Sequence, residues 1–65
     1  MRYILQTRYR RSNERLSEWY TESKHDDRDD AKKALGEHIG TYWTFNARVI
    51  REDGLVVGEY KYKRG

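Results

Sequence analysis

The chain contains no cysteine and no proline. Without cysteine, neither a disulfide framework nor thiolate zinc ligation is available, so stability has to come from a small core or from association. There is no long apolar run either, which excludes a membrane-spanning helix and the apolar region of a signal peptide. Lack of cysteine and of targeting features fits a cytoplasmic protein. Gly-rich phosphate loops and HExxH spacings are also missing.

At 65 residues the chain reads as a single domain over 1–65, near the lower size limit for folding without a staple. Only 35% of residues are hydrophobic, yet 14% are aromatic, so the six Tyr and two Trp must supply much of the buried area. Each such ring can bury about 150–250 Å². A charged content of 38% raises disorder as an alternative, but 14 basic residues nearly balance 11 acidic ones and the ends are strand-rich. An ordered domain is the expectation.

A net charge of +3 permits contact with nucleic acid without demanding it. Its distribution is uneven. Arg2, Arg8, Arg10, Arg11 and Arg15 crowd the first quarter, Lys61, Lys63 and Arg64 close the chain, and Glu22, Asp26, Asp27, Asp29 and Asp30 hold the middle.

The strongest local signal lies between Trp43 and Tyr62, where two runs of aromatic and β-branched residues flank Asp53-Gly54. A dipeptide tolerant of positive φ between such runs predicts a β-hairpin. With Asp53 and Gly54 as a two-residue loop, Glu52 pairs with Leu55 and the register follows outward. Phe45 then stands opposite Tyr62, Ala47 opposite Tyr60, Val49 opposite Gly58 and Arg51 opposite Val56 on one face, with Trp43 beyond. The other face pairs Asn46 with Lys61, Arg48 with Glu59 and Ile50 with Val57. The first set, aromatic and apolar, is assigned to the core; a three-residue loop would shift the pairing and undo this sorting.

Arg2 to Arg10 alternates as a strand, with Tyr3, Leu5, Thr7 and Tyr9 on one side and the arginines, Ile4 and Gln6 on the other. Ser12-Asn13 signals a turn. Leu16 to Ser23 is a weaker strand in which Trp19 and Tyr20 have opposite parity; Trp19 is preferred for burial because it contributes more area. Asp26 to Ile39 is predicted to be a helix, with Ala31, Ala34, Leu35, His38 and Ile39 on one stripe. Asp27 is its expected N-cap, Asp29 and Asp30 suit its positive end, Gly36 is read as a close approach to the sheet and Gly40 as the C-cap. The element order is ββαββ. A short helix with one apolar stripe must cover one face of an antiparallel sheet, so the expected fold class is α+β, a two-layer, four-stranded antiparallel sheet with one helix. Strand order is not fixed by the pattern.

No residue combination points to catalysis. The Asp26-Asp27-Arg28-Asp29-Asp30 cluster lacks the alternation, sharp-turn Gly and distal Glu of a calcium loop, and is better explained as a helix start. His38 belongs to the helix stripe and reads as a core or boundary imidazole rather than a ligand. His25 reads as solvated, and Ser12, Ser17 and Ser23 have no nearby base pattern. The expectation is no catalytic residue, no metal and no cofactor.

The outward side of the sheet is more informative. Arg8, Arg10, Arg48 and Lys61 would point outward beside Ile50, Val57 and Ile4, combining cations with an apolar patch. The plain alternative is an ordinary solvent-facing sheet neutralised by Glu18, Glu52 and Glu59. Self-association through that face or a strand edge would also hide the patch, so a homodimer is a third option. Base stacking needs rings on the open face, whereas the hairpin rings are assigned to the helix side, so nucleic acid would be held by phosphate contacts alone.

In element order and residue type the chain resembles small orphan proteins encoded by tailed phages and prophages. The likeness rests on Tyr3-Ile4-Leu5-Gln6-Thr7-Arg8-Tyr9, on Trp19-Tyr20, and on Asp29-Asp30-Ala31 with Ala34-Leu35. The closing Arg48-Val49-Ile50-Arg51-Glu52-Asp53-Gly54-Leu55-Val56-Val57 hairpin completes it. It spans most of the chain and departs in its Tyr/Lys-rich last strand. Such proteins commonly bind and inhibit a host enzyme or defence complex. The resemblance therefore implies a non-enzymatic accessory protein that occludes a host protein in the host cytoplasm. Binding would use the outward face or the acidic patch of Asp26, Asp27, Asp29 and Asp30. The alternative is a small basic nucleic-acid-binding module using the Arg-rich first strand.

Overall fold

A computed structural model describes residues 2–9, 17–41 and 46–61. Strands β1 (Tyr3–Arg8) and β2 (Tyr20–His25) precede helix α1 (Arg28–Thr41), and β3 (Asn46–Arg51) and β4 (Val56–Lys61) follow it. The strands form one antiparallel sheet in the order β2-β1-β3-β4, and α1 packs on one side of it. This is the expected ββαββ, α+β architecture. The chain's first strand occupies the centre, and α1 carries the chain from the β2 edge across β1 to reach β3.

The core is small because the two layers meet along one stripe. Leu5, Ala31, Leu35, Ala47 and Val49 are buried, with Tyr3, Ala34, Ile39, Val57 and Tyr60 packed around them. The helix stripe predicted from its 3.6-residue spacing is the one that is buried. Alternation along β1 and β3 sends Leu5, Thr7, Ala47 and Val49 toward α1 and leaves Ile4, Gln6, Arg8, Asn46, Arg48 and Ile50 on the opposite face. Gly58 lies under the helix, where a Cβ would come within 3.5 Å of the Lys32 stem and 3.6 Å of Leu35.

The helix starts where capping chemistry puts it. Asp27 Oδ1 accepts the Asp29 N–H at 3.1 Å and the Asp27 carbonyl accepts the Ala31 N–H at 3.1 Å. Asp29 and Asp30 occupy the first turn, at the positive end of the dipole. The helix runs past its predicted end: Gly40 is helical rather than a C-cap, and α1 continues to Thr41. Gly36 is exposed with open space around it, so it does not mark an approach to the sheet.

Two offsets shape the sheet. In the β3–β4 hairpin the loop holds three residues, not two. Gly54 N–H donates to Arg51 O at 2.8 Å and Arg51 N–H to Leu55 O at 2.8 Å, with Gly54 at φ 93°. That loop would shift the register by one, but Val57 is an extra residue between the pairs Ile50–Val56 and Val49–Gly58. The bulge restores the expected partners Val49–Gly58, Arg48–Glu59, Ala47–Tyr60 and Asn46–Lys61. In the other hairpin Glu22 is the extra residue, so Leu5 pairs with Ser23 while Gln6 pairs with Thr21. The second strand thus starts later than predicted, and its side-chain parity reverses at Glu22. The proposed Ser12-Asn13 turn, Leu16, Trp43 and the Phe45–Tyr62 pair lie outside the described residues.

Candidate functional site

The uncovered face of the sheet is ordered in rows that cross the strands. Ile4, Ile50 and Val56 are register partners on β1, β3 and β4 and form an aliphatic row. Ile4 and Ile50 are half-buried, and Val56 is 43% exposed. One step along the strands Gln6 stands opposite Arg48, which stands opposite Glu59. A further step brings Arg8, Asn46 and Lys61 into line.

Between these last two rows β1 and β3 build a diagonal array, two arginines on one diagonal and two amides on the other. Arg48 Nε donates to Gln6 Oε1 at 2.8 Å, and Arg8 Nε lies 3.4 Å from Asn46 Oδ1. Both guanidinium carbons lie over the Trp19 ring, at 4.5 Å for Arg8 and 4.0 Å for Arg48. The ring quadrupole attracts each cation by about 0.5–1 kcal/mol at exposed sites and more where water is excluded. Two cations thereby share one indole, which concentrates positive charge at this end of the face.

Trp19 reaches this position because of the bulge at Glu22. The parity change places Tyr20 opposite Thr7, on the helix side, and leaves Trp19 on the uncovered side. Trp19 is half-buried and Tyr20 is 44% exposed, so Trp19 is the more buried ring as expected. Its cover is a pair of arginines, however, rather than the helix. Tyr20 stacks on Tyr9 with ring centres 5.8 Å apart.

Of the sequence candidates, Arg8, Arg48, Ile50 and Lys61 lie together on this face. Lys61 Nζ is 3.4 Å from Glu59 Oε1, so Glu59 is directed to Lys61 rather than to its cross-strand neighbour Arg48. Val57 does not belong there. As the bulge residue it packs against the core, and Val56 takes the place beside Ile50. Arg10 lies outside the described residues. Asp26, Asp27, Asp29 and Asp30 are exposed at the helix start, in the other layer; Asp27 caps, and Asp26 is 3.8 Å from Arg2 Nε. Sequence reasoning put Gln6 and Asn46 on this side without giving them a role, and it missed Trp19 and Val56 as members of the surface. The β1–β3 adjacency that unites them has no local sequence signal.

On the helix side, an open groove of about 330 Å³ runs between α1 and β2, lined by Leu5, Glu22, Ser23, Ala34, Glu37, His38 and Thr41. Glu22 Oε1 accepts the buried Thr7 hydroxyl at 2.8 Å. Two expectations are corrected here. Ser23 Oγ is 2.7 Å from His25 Nε2, so Ser23 does have a base beside it and half-buried His25 is not simply solvated. The contact follows from strand geometry, since residues two apart share a face. Among the described residues no carboxylate bonds to His25, so the pair lacks the group that orients an imidazole for general-base work. Nor do the described residues contain a His/Cys/Asp/Glu group that could hold a metal ion.

No family model, curated protein or solved structure matches the chain. Among the described residues no helix is long and apolar enough to cross a membrane.

Proposed function

We propose that this protein is a non-enzymatic binding module that acts by docking the uncovered sheet face onto another protein. The supporting observation is the Ile4–Ile50–Val56 row lying directly beside the Arg8–Trp19–Arg48 array. An aliphatic row spanning three strands is costly to leave in water and does nothing for a phosphate backbone. Next to anchored arginines it has the make-up of a protein–protein contact centre. The likeness to phage orphan proteins makes a host protein the expected partner, and occlusion of its working surface the mode of action.

The reading is tested by placing a photocrosslinking side chain at Val56 and, as a control, at Lys33 on the exposed side of α1. Crosslinking to one discrete host protein is expected from Val56 and not from Lys33. It should disappear when Arg8→Glu and Arg48→Glu are combined, with the far-UV circular dichroism unchanged. Crosslinking that survives the double charge reversal removes this face as the binding surface. Binding of random duplex DNA that falls steeply with salt would instead favour the phosphate-contact reading. An unfolding midpoint that rises with protein concentration would favour a homodimer.

A further inference from the structure

Arg48 has a nearby carboxylate in register and does not use it. Glu59 stands opposite but reaches Lys61, and among the described residues no carboxylate pairs with Arg48. Its Nε donates to Gln6 Oε1 at 2.8 Å and its guanidinium carbon sits 4.0 Å over the Trp19 ring, so the group is held at two points before any partner arrives. Arg8 lies over the same ring, at 4.5 Å. A planar guanidinium fixed in this way presents its remaining N–H groups as a fork that fits two carboxylate oxygens.

Resting on the protein-docking reading above, we infer that the face recognises an acidic–aliphatic segment. Arg48 receives a carboxylate, and the Ile4–Ile50–Val56 row receives a branched aliphatic side chain next to it. The spacing follows from the strand. Arg48 and Ile50 are two residues apart on β3, which is about 6.8 Å at the rise of an antiparallel strand. A glutamate and a leucine four residues apart on one helix face are separated by about 6 Å, so a single helical turn of the partner can fill both positions. A phosphodiester would satisfy Arg48 but leave the aliphatic row in water, which favours the protein segment over nucleic acid.

The test uses the full-length ¹⁵N- and methyl-labelled protein and a twelve-residue helical peptide with glutamate and leucine at that spacing. Addition of the peptide is expected to shift the Arg48 Nε–H signal together with the Ile4, Ile50 and Val56 methyl signals, saturably and in parallel. Replacing the peptide's glutamate by glutamine should weaken binding at least tenfold, and leucine by alanine severalfold; neither change touches the fold of the protein. Arg48→Lys, which keeps the charge but loses the planar fork, should also lose at least tenfold while the backbone amide spectrum is preserved.

Peptide binding that leaves Arg48 unmoved, or equal affinity for the glutamine peptide, overturns the inference. So does a twelve-nucleotide oligo(dT) that shifts the same signals more tightly than the peptide. If Val56 still crosslinks its partner while the peptide fails, only the ligand assignment falls. If the crosslink survives the Arg8 and Arg48 reversal, the docking face itself is wrong.

Discussion

Val49 stands directly opposite Gly58, although a three-residue turn and a one-residue bulge lie between them; their offsets cancel. Everything that the face assignment of β4 provides depends on this cancellation. It keeps Tyr60 against the core and Glu59 and Lys61 on the uncovered side. The turn alone would have exchanged them.

Removing the extra residue should therefore be tolerated. Deletion of Val57 leaves Val56 opposite Ile50 and Gly58 opposite Val49, now in an unbulged ladder. The loss is one half-buried valine, about 1 kcal/mol in urea unfolding. The cross-strand contact between Val49 and the glycine should remain in the nuclear Overhauser spectrum. A loss of more than about 3 kcal/mol, or disappearance of that contact, would contradict the cancellation.

Gly54 carries the turn at φ 93° with open space around its α-carbon. Only backbone strain opposes a side chain there. Gly54→Ala should cost about 1–2 kcal/mol, and Gly54→Asn less, because asparagine tolerates the left-handed region better. Equal stability of all three proteins in urea would show that the turn can relax into another form.

Asp27 caps α1 through the Asp29 N–H. Asp27→Ala should cost about 1 kcal/mol, and Asp27→Asn much less, since an amide oxygen can accept the same hydrogen bond. Thermal unfolding followed at 222 nm checks the ranking. If both substitutions cost the same, charge at the helix start matters more than the cap.

Asp53 gives the turn an acid dependence. Its carboxylate accepts the Leu55 N–H at 3.2 Å and the Arg51 guanidinium at 2.6 Å, and these hold its pKa below the usual carboxylate value, against the opposing effect of partial burial. A depressed folded-state pKa stabilises above the unfolded value, about 3.9, and the stabilisation is lost as pH falls through the folded value. The stability difference between the protein and Asp53→Asn should therefore be constant near neutrality and shrink below about pH 4. A difference that persists at pH 2 would mean that charge plays no part.

The element order was legible because its signals are local. Asp53-Gly54 marks a turn, Asp27 marks a helix start, and Ala31, Ala34, Leu35, His38 and Ile39 repeat at a helical period. The C-terminal end of α1 was less legible: the helix continues through Gly40 to Thr41 despite the local C-cap preference of glycine. The uncovered face was half legible. Arg48 and Ile50 follow from the hairpin register, but Trp19 depends on a bulge at Glu22 that only pairing with β1 creates. Val57 was misplaced for a similar reason: no residue in the turn announces an extra residue further along the strand. The diagonal of Arg8, Asn46, Gln6 and Arg48 required the β1–β3 pairing, which joins positions 42 residues apart.

That pairing also has the greatest sequence separation in the sheet. Both outer strands attach to neighbours close to them in the chain, and each hairpin can close early and alone. The sheet becomes continuous only when β1 zips onto β3, a loop closure across most of the polypeptide whose entropic cost falls before its reward. The seam with the largest closure entropy is thus the same line along which Gln6 meets Arg48, and the array of Arg8, Trp19 and Arg48 exists only once the two halves of the sheet have joined.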